Sequence, residues 1–333
     1  MADGNAHSAE VEAAVAAIRA GDRRAIARTI TRIESTRDAD REQGQAILDA
    51  LIAESGRAIR VGITGPPGVG KSTFVESLGL MLVEQAKRVA VLAVDPTSPV
   101  TGGSILGDKT RMERLAVRSE AFIRPSPSGG SLGGVAHRTR EVMLLCEAAG
   151  FDVVLIETVG IGQSEVAVAS MVDFFLVLLL PAGGDGLQGI KKGVVELADA
   201  LVVNKADGEM AAIAERTRQD YAGALSLLRR AVDGWQPPAL TASATEGRGI
   251  AEVWQIILAH RAVLERTGLL ARRRREQARA WLWKLVEEGL ARAFRDRAGM
   301  PEAIAREEAL VSDQRRTPTA AARALLERFL ESR

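Results

Sequence analysis

Six short, almost wholly apolar runs constrain this chain more than any other feature. They are IRVGIT (59–64), RVAVLAV (88–94), DVVLIET (152–158), FFLVLLL (174–180), ALVVNK (200–205) and PALTAS (238–243). Each has the length of a strand, and longer helical stretches separate them. Strands that are apolar on both sides must be covered on both faces, which points to a mostly parallel sheet between layers of helices. The pattern predicts an α/β domain over residues 56–260. FFLVLLL is far below the ~20 apolar residues a membrane helix needs, and Asp173 precedes it, so it reads as a buried strand.

The flanks follow a different period. Val11, Val15 and Ile18, then Ile26, Ile30 and Ile33, recur at i, i+4, i+7, with Asp22 placed to cap the second helix. Ile47, Leu48, Leu51 and Ile52 continue the theme, predicting a helical extension over 1–55 that docks on the domain after it. Residues 261–333 read as a charged helical arm in which Leu282, Val286, Leu290 and Phe294 form an i+4 stripe beside Trp281 and Leu285. That stripe fits either dimerisation or packing on the same chain. The four arginines at 272–275 read as a solvated helix face, with no nucleic-acid-binding module beside them.

A formal net charge of +1 gives no field that would draw the chain to nucleic acid or an acidic membrane. The single cysteine, Cys146, excludes an intramolecular disulfide and fits a reducing compartment. Three histidines and one cysteine argue against a zinc or nickel cluster. The start MADGNAHSAE lacks a basic segment followed by an apolar run, so no secretory signal is expected and the reading is cytoplasmic.

Chemistry concentrates after the strands. Gly65-Pro66-Pro67-Gly68-Val69-Gly70-Lys71-Ser72-Thr73 follows the run at 59–64 and opens a helical stretch, the context of a phosphate-binding loop. Backbone N–H groups and a helix N-terminus favour a polyphosphate there, Lys71 suits its β- and γ-phosphates, and the Ser72 hydroxyl suits Mg²⁺. Glu157, in ETVG, ends a strand where a carboxylate can hold the magnesium shell, and the Gly160 N–H can approach a γ-phosphate. Asn204, Lys205 and Asp207 choose the base. A carboxylate pairs with guanine N1–H and N2 amine together, and adenine lacks that double donor, a difference of about 1–3 kcal/mol. Ser243, Ala244 and Thr245 lie in the loop after the last run, where backbone can meet guanine O6. The ligands implied are GTP and GDP with Mg²⁺.

Glu157 in place of the usual aspartate resembles the metallochaperone branch of P-loop GTPases. GPPGVGKSTF, VLAVDPTSP, GGSILGDKTRM, RPSPSGGSLGG, ETVGIGQSE, PAGGDGLQGIKKG and NKAD together resemble the MeaB/ArgK family, from about residue 40 to beyond 250. The resemblance implies a Rossmann-like GTPase core with helical extensions, assembled as a homodimer. It also implies a chaperone that gates adenosylcobalamin loading into methylmalonyl-CoA mutase and protects that enzyme, and leaves open whether a cobalamin adenosyltransferase joins. Asp95 and Asp108 resemble the family's magnesium-side acids, Asp108 being also a candidate to set up the attacking water, although either could cap a turn. Lys191 and Lys192 match a segment that responds to nucleotide and partner, and Lys191 is a candidate to reach the phosphates. Gln188 is similarly placed.

Ile161 follows Gly160 where Ras-like enzymes carry a water-orienting glutamine, and Gln163 lies two residues on. This predicts slow hydrolysis alone and stimulation by a partner. Two other functions fit the sequence less well: nickel insertion for hydrogenase or urease, which needs Cys/His ligands scarce here, and an amino-acid-transport kinase, which would use ATP. Service to a related acyl-CoA mutase remains an alternative partner.

Overall fold

The protein is described by a computed structural model over residues 2–94, 112–125, 132–158, 164–181, 192–227 and 234–331. Seven strands among these residues, β1 (Ile59–Thr64), β2 (Val89–Val94), β3 (Ala121–Arg124), β4 (Val153–Thr158), β5 (Phe174–Leu179), β6 (Ala200–Val203) and β7 (Ala239–Thr241), make one sheet. Its order is β3-β2-β4-β1-β5-β6-β7, and every pairing is parallel. Successive side chains alternate between two apolar cores. Phe175, Val177 and Leu179 enter one, while Phe174, Leu176 and Leu178 enter the other. That alternation explains why the strands read as unbroken apolar runs.

The helices follow in chain order. They are α1 (Ala2–Arg19), α2 (Arg23–Glu34), α3 (Asp38–Leu51), α4 (Lys71–Glu84), α5 (Glu113–Ala116), α6 (Leu132–Ala148) and α7 (Ser164–Ala169), then α8 (Lys192–Glu196), α9 (Ala211–Leu227) and α10 (Ile250–Arg266). Phe74, Leu78 and Leu82 of α4 and Val253 and Ile257 of α10 fill one core. Helices α1, α2 and α3 line the other, with Ile18, Ile26, Ile30, Ile47 and Leu51 fully buried. Each such side chain contributes about 1.5–3 kcal/mol. Asp22 caps α2 as expected, accepting the N–H groups of Arg24 and Ala25. Ile52 falls just past α3, in a short 3₁₀ turn, and stands 48% exposed.

Two segments differ from the sequence expectation. Ala121–Arg124 forms an edge strand too short to be recognised by pattern. The glycine-rich stretch through 135 is helical from Leu132 onward, as the start of α6.

At the end of the sheet remote from the phosphate loop, Arg60 makes a two-pronged pair with Glu147, at 2.8 and 2.7 Å. The same carboxylate accepts the N–H of Gly56, which ties the entry of β1 to α6. Two desolvated charges survive here because both are paired and hydrogen-bonded.

Residues 1–271 and 272–333 form separate compact units. The second contains most of α11 (Leu269–Asp296), with α12 (Met300–Ser312) and α13 (Pro318–Glu331). Within it Phe294 meets Phe329 at 5.3 Å between ring centroids, and Arg297 covers Phe329. Helix α11 has no buried residue, and Leu282, Trp283 and Leu290 are each more than half exposed. Among the described residues no helix is long and apolar enough to cross a membrane.

Candidate functional site

The turn from β1 into α4 positions the first part of the site. Gly65 has φ 154°, and a Cβ there would meet the carbonyl of Leu178 at 2.5 Å, so the chain can turn this tightly against β5 only without a side chain. Gly70, at φ 90°, is the N-cap of α4. The N–H groups of Lys71, Ser72 and Thr73 therefore open a helix of 14 residues, where orphan donors and the helix dipole favour an anion. The Lys71 ammonium, almost buried, donates to the carbonyls of Gly65 at 2.8 Å and Pro66 at 3.2 Å, which spans the loop from inside. Val69 N–H closes a turn on Pro66 O, and Pro67 and Gly68 form its outer rim.

Strand β4 brings the acid. In the parallel register Ile63 lies opposite Glu157, so the Glu157 side chain emerges on the face that carries α4. The Ser72 hydroxyl donates to Glu157 Oε1 at 2.8 Å, and Glu157 is 4% exposed. A part-buried hydroxyl and a buried carboxylate at this separation are hard oxygen donors of the kind Mg²⁺ takes alongside phosphate oxygens, so the residues present fit that ion. On the opposite face of the same strand tips, the Thr158 hydroxyl donates to that of Thr64 at 2.7 Å, both fully buried. Two residues back, Gly62 lets α7 approach β1, since a Cβ there would meet Val168 at 2.7 Å.

The other end of the site is built by the loops after β6 and β7. Asn204, 1% exposed, donates its amide to Val69 O at 2.8 Å and accepts the N–H of Ala244 at 3.2 Å. One side chain thus joins the phosphate loop to the loop at 243–245. Lys205 takes a left-handed conformation at φ 60° and is exposed, its Cε lying near Gly70. Asp207 follows, partly buried, at the head of a short 3₁₀ turn. Ser243 and Thr245 share a hydroxyl contact at 3.1 Å, and Glu246 N–H donates to Ser243 Oγ.

The structure therefore brings Lys71 and Ser72 in the first turn of α4, Glu157 at the tip of β4, and Asn204, Asp207 and Ala244 in the loops after β6 and β7 to the carboxyl edge of the sheet, where open α/β sheets bind ligands. Asp95, Asp108, Gly160 and Lys191 lie outside the described residues, as do Gln163 and Gln188. Lys192 opens α8. The sequence reading gave no role to Thr64, Thr158, Gly62 or Arg248; the first three sit inside stretches it quoted, but their partners lie far along the chain. Cys146 lies in α6, its thiol pushed up to about 12 by burial and then by the neighbouring Glu147, so it holds its proton and offers no thiolate to a soft metal.

Comparison with known proteins places this geometry. The sequence profile described as methylmalonyl-CoA mutase-associated GTPase MeaB matches residues 26–298. A putative GTPase of Caulobacter vibrioides is 55% identical over 93% of this chain and 95% of its own length. The mitochondrial methylmalonic aciduria type A homolog of Mus musculus is 45% identical, covering 93% of this chain and 77% of that protein. A crystal structure titled LAO/AO transport system kinase superposes with a TM-score of 0.79 at 38% identity, covering 97% of this chain and 98% of that one.

Proposed function

This chain belongs to the MeaB family of methylmalonyl-CoA mutase-associated GTPases, and from that premise we propose that it gates adenosylcobalamin loading into methylmalonyl-CoA mutase and protects the loaded enzyme. It is a GTPase of P-loop fold that binds GTP and GDP with Mg²⁺. The observation that carries the reading is the side-chain bridge from Ser72 to Glu157 beside the Lys71 cradle, coupled through Asn204 to the base-side loops.

In this reading each residue has a separate task. Lys71 leaves its carbonyl partners for the β- and γ-phosphate oxygens, with the helix N-terminus of α4 behind it. Ser72 and Glu157 would supply oxygen donors to Mg²⁺, which when bound would supply positive charge beside the transferred phosphoryl group. Asp207 takes the paired donors of guanine, and the Lys205 stem covers the ring. Asp95, Asp108, Gly160 and Lys191 belong to the same proposal as magnesium-side acids, γ-phosphate donor and phosphate-seeking cation. The absence of a glutamine after Gly160 supports slow hydrolysis that a partner accelerates.

The exposed stripe of α11 supports a homodimer, because Leu282, Trp283 and Leu290 lie on water in a single chain. A cobalamin adenosyltransferase is a further partner on this reading.

The deciding experiment mixes the purified protein with an adenosylcobalamin-dependent methylmalonyl-CoA mutase. Co-elution and a rise in GTP turnover on adding the mutase are expected. Rapid turnover alone, unchanged by the mutase, overturns the proposal.

A further inference from the structure

We infer that Arg248 is a positioning residue for guanine recognition, its guanidinium holding the peptide that presents Asp207. The inference rests on the reading of Asp207 as the carboxylate that takes the edge of the base. Arg248 Nη2 donates to the carbonyl of Ala206 at 3.0 Å. That carbonyl and the Asp207 N–H belong to one peptide plane, so a hold on the oxygen fixes the backbone from which the Asp207 side chain springs. From the other side the Ala206 N–H donates to Ala242 O at 3.0 Å. The residue before Asp207 is thus clamped on both faces.

The clamp has work to do, since Lys205, just ahead of it, sits at φ 60° in a conformation that a residue with a Cβ adopts reluctantly. Without an external hold the peptide before Asp207 would relax, and the carboxylate would lose its aim.

Arg248 is itself well anchored. Its carbonyl accepts the Ser243 N–H at 2.9 Å. The next residue, Gly249, caps α10 at φ 79°, so close to β7 that a Cβ would meet Thr241 O at 2.4 Å. Glu246 Oε2 accepts from the same Nη2 at 2.7 Å, in an ion pair whose two side chains are each more than half exposed. Arginine suits the position because its terminal Nη2 carries two N–H donors in a fixed plane, one for the carboxylate and one for the carbonyl. The discrimination at stake is between guanine, which offers two adjacent donors, and hypoxanthine, which lacks the 2-amino group and offers one.

The test measures calorimetric affinities of the full chain for GDP and for IDP with Mg²⁺, in the unaltered protein and in Arg248→Ala, Arg248→Lys and Asp207→Asn. Removing Arg248 lowers the guanine-over-hypoxanthine ratio about fivefold, as expected for loss of a charge-assisted hydrogen bond that aims the carboxylate. Arg248→Lys recovers part of the ratio, because one N–H donor still reaches Ala206 O. If Arg248→Ala weakens both diphosphates equally or neither, while Asp207→Asn collapses the ratio, the role of Arg248 is overturned and the base assignment stands. If Asp207→Asn leaves the ratio unchanged, the base assignment fails and the role of Arg248 falls with it.

Discussion

Helices α4 and α11 are built to opposite plans. Helix α4 has 14 residues and seals Phe74, Val75, Leu78 and Leu82 into a core. Helix α11 has 28 residues and buries none, leaving Leu282 and Trp283 each 57% exposed and Leu290 60%. Each carries a glycine away from its ends, and the two glycines differ in the same way. A Cβ on Gly79 of α4 would meet Leu115 at 2.6 Å, whereas one on Gly289 of α11 would meet nothing within 4 Å. The contrast teaches that a helix whose first turn must be located to a fraction of an ångström is fixed by what lies along its length. A helix free of that duty can keep its apolar residues for a surface outside its own chain.

The largest effect is expected where α4 begins. Lys71→Ala removes a charge-assisted phosphate contact at the anchored end of the helix and should weaken GDP binding on the order of 100-fold or more, read by calorimetry. Retained binding would break the link between the fixed helix and phosphate grip.

Next comes Gly79→Ala. Crowding the buried Leu115 side chain costs about 1–3 kcal/mol, against which the helix gains about 0.5–1 kcal/mol from losing a glycine. A net loss near 1 kcal/mol should appear in urea unfolding. Gly289→Ala sharpens the contrast with the same substitution in open space, where only the propensity gain remains. It should stabilise the second unit by about 0.5–1 kcal/mol. The smallest change in fold stability is expected for Leu282→Glu with Leu290→Glu. Unfolding of the single chain should move by no more than about 0.5 kcal/mol, since both side chains are already in water. For the homodimer proposed above, light scattering should nevertheless report a shift to monomer, and an unchanged particle size would remove α11 from the proposed assembly.

What could be read in the chain beforehand was what is local. Six of the seven strands, the turn at 65–70 and the cap at Asp22 each carry their cause within a few residues of themselves. Ala121–Arg124 escaped because four residues at a sheet edge hold too little pattern to stand out. The start of α6 escaped because Gly133 and Gly134 read as loop, although the helix takes them within its first turn. The long-range contacts that stiffen the site and the far end of its sheet were invisible for another reason. Thr64 and Thr158 are 94 residues apart, Arg60 and Glu147 are 87 apart, and Arg248 and Ala206 are 42 apart. No period or motif connects such partners, and only the strand order brings them together. Asn204 was legible as a member of a guanine motif, but its grip on Val69 was not.

That grip has a consequence for how the nucleotide pocket can change. Because a single amide is mortared into both the phosphate loop and the loop at 243–245, neither loop can shift without straining the other. A substitution that loosened selectivity through Asn204 would slacken the hold on the triphosphate at the same stroke. Asn204 therefore makes the phosphate loop and the loop at 243–245 one mechanical unit.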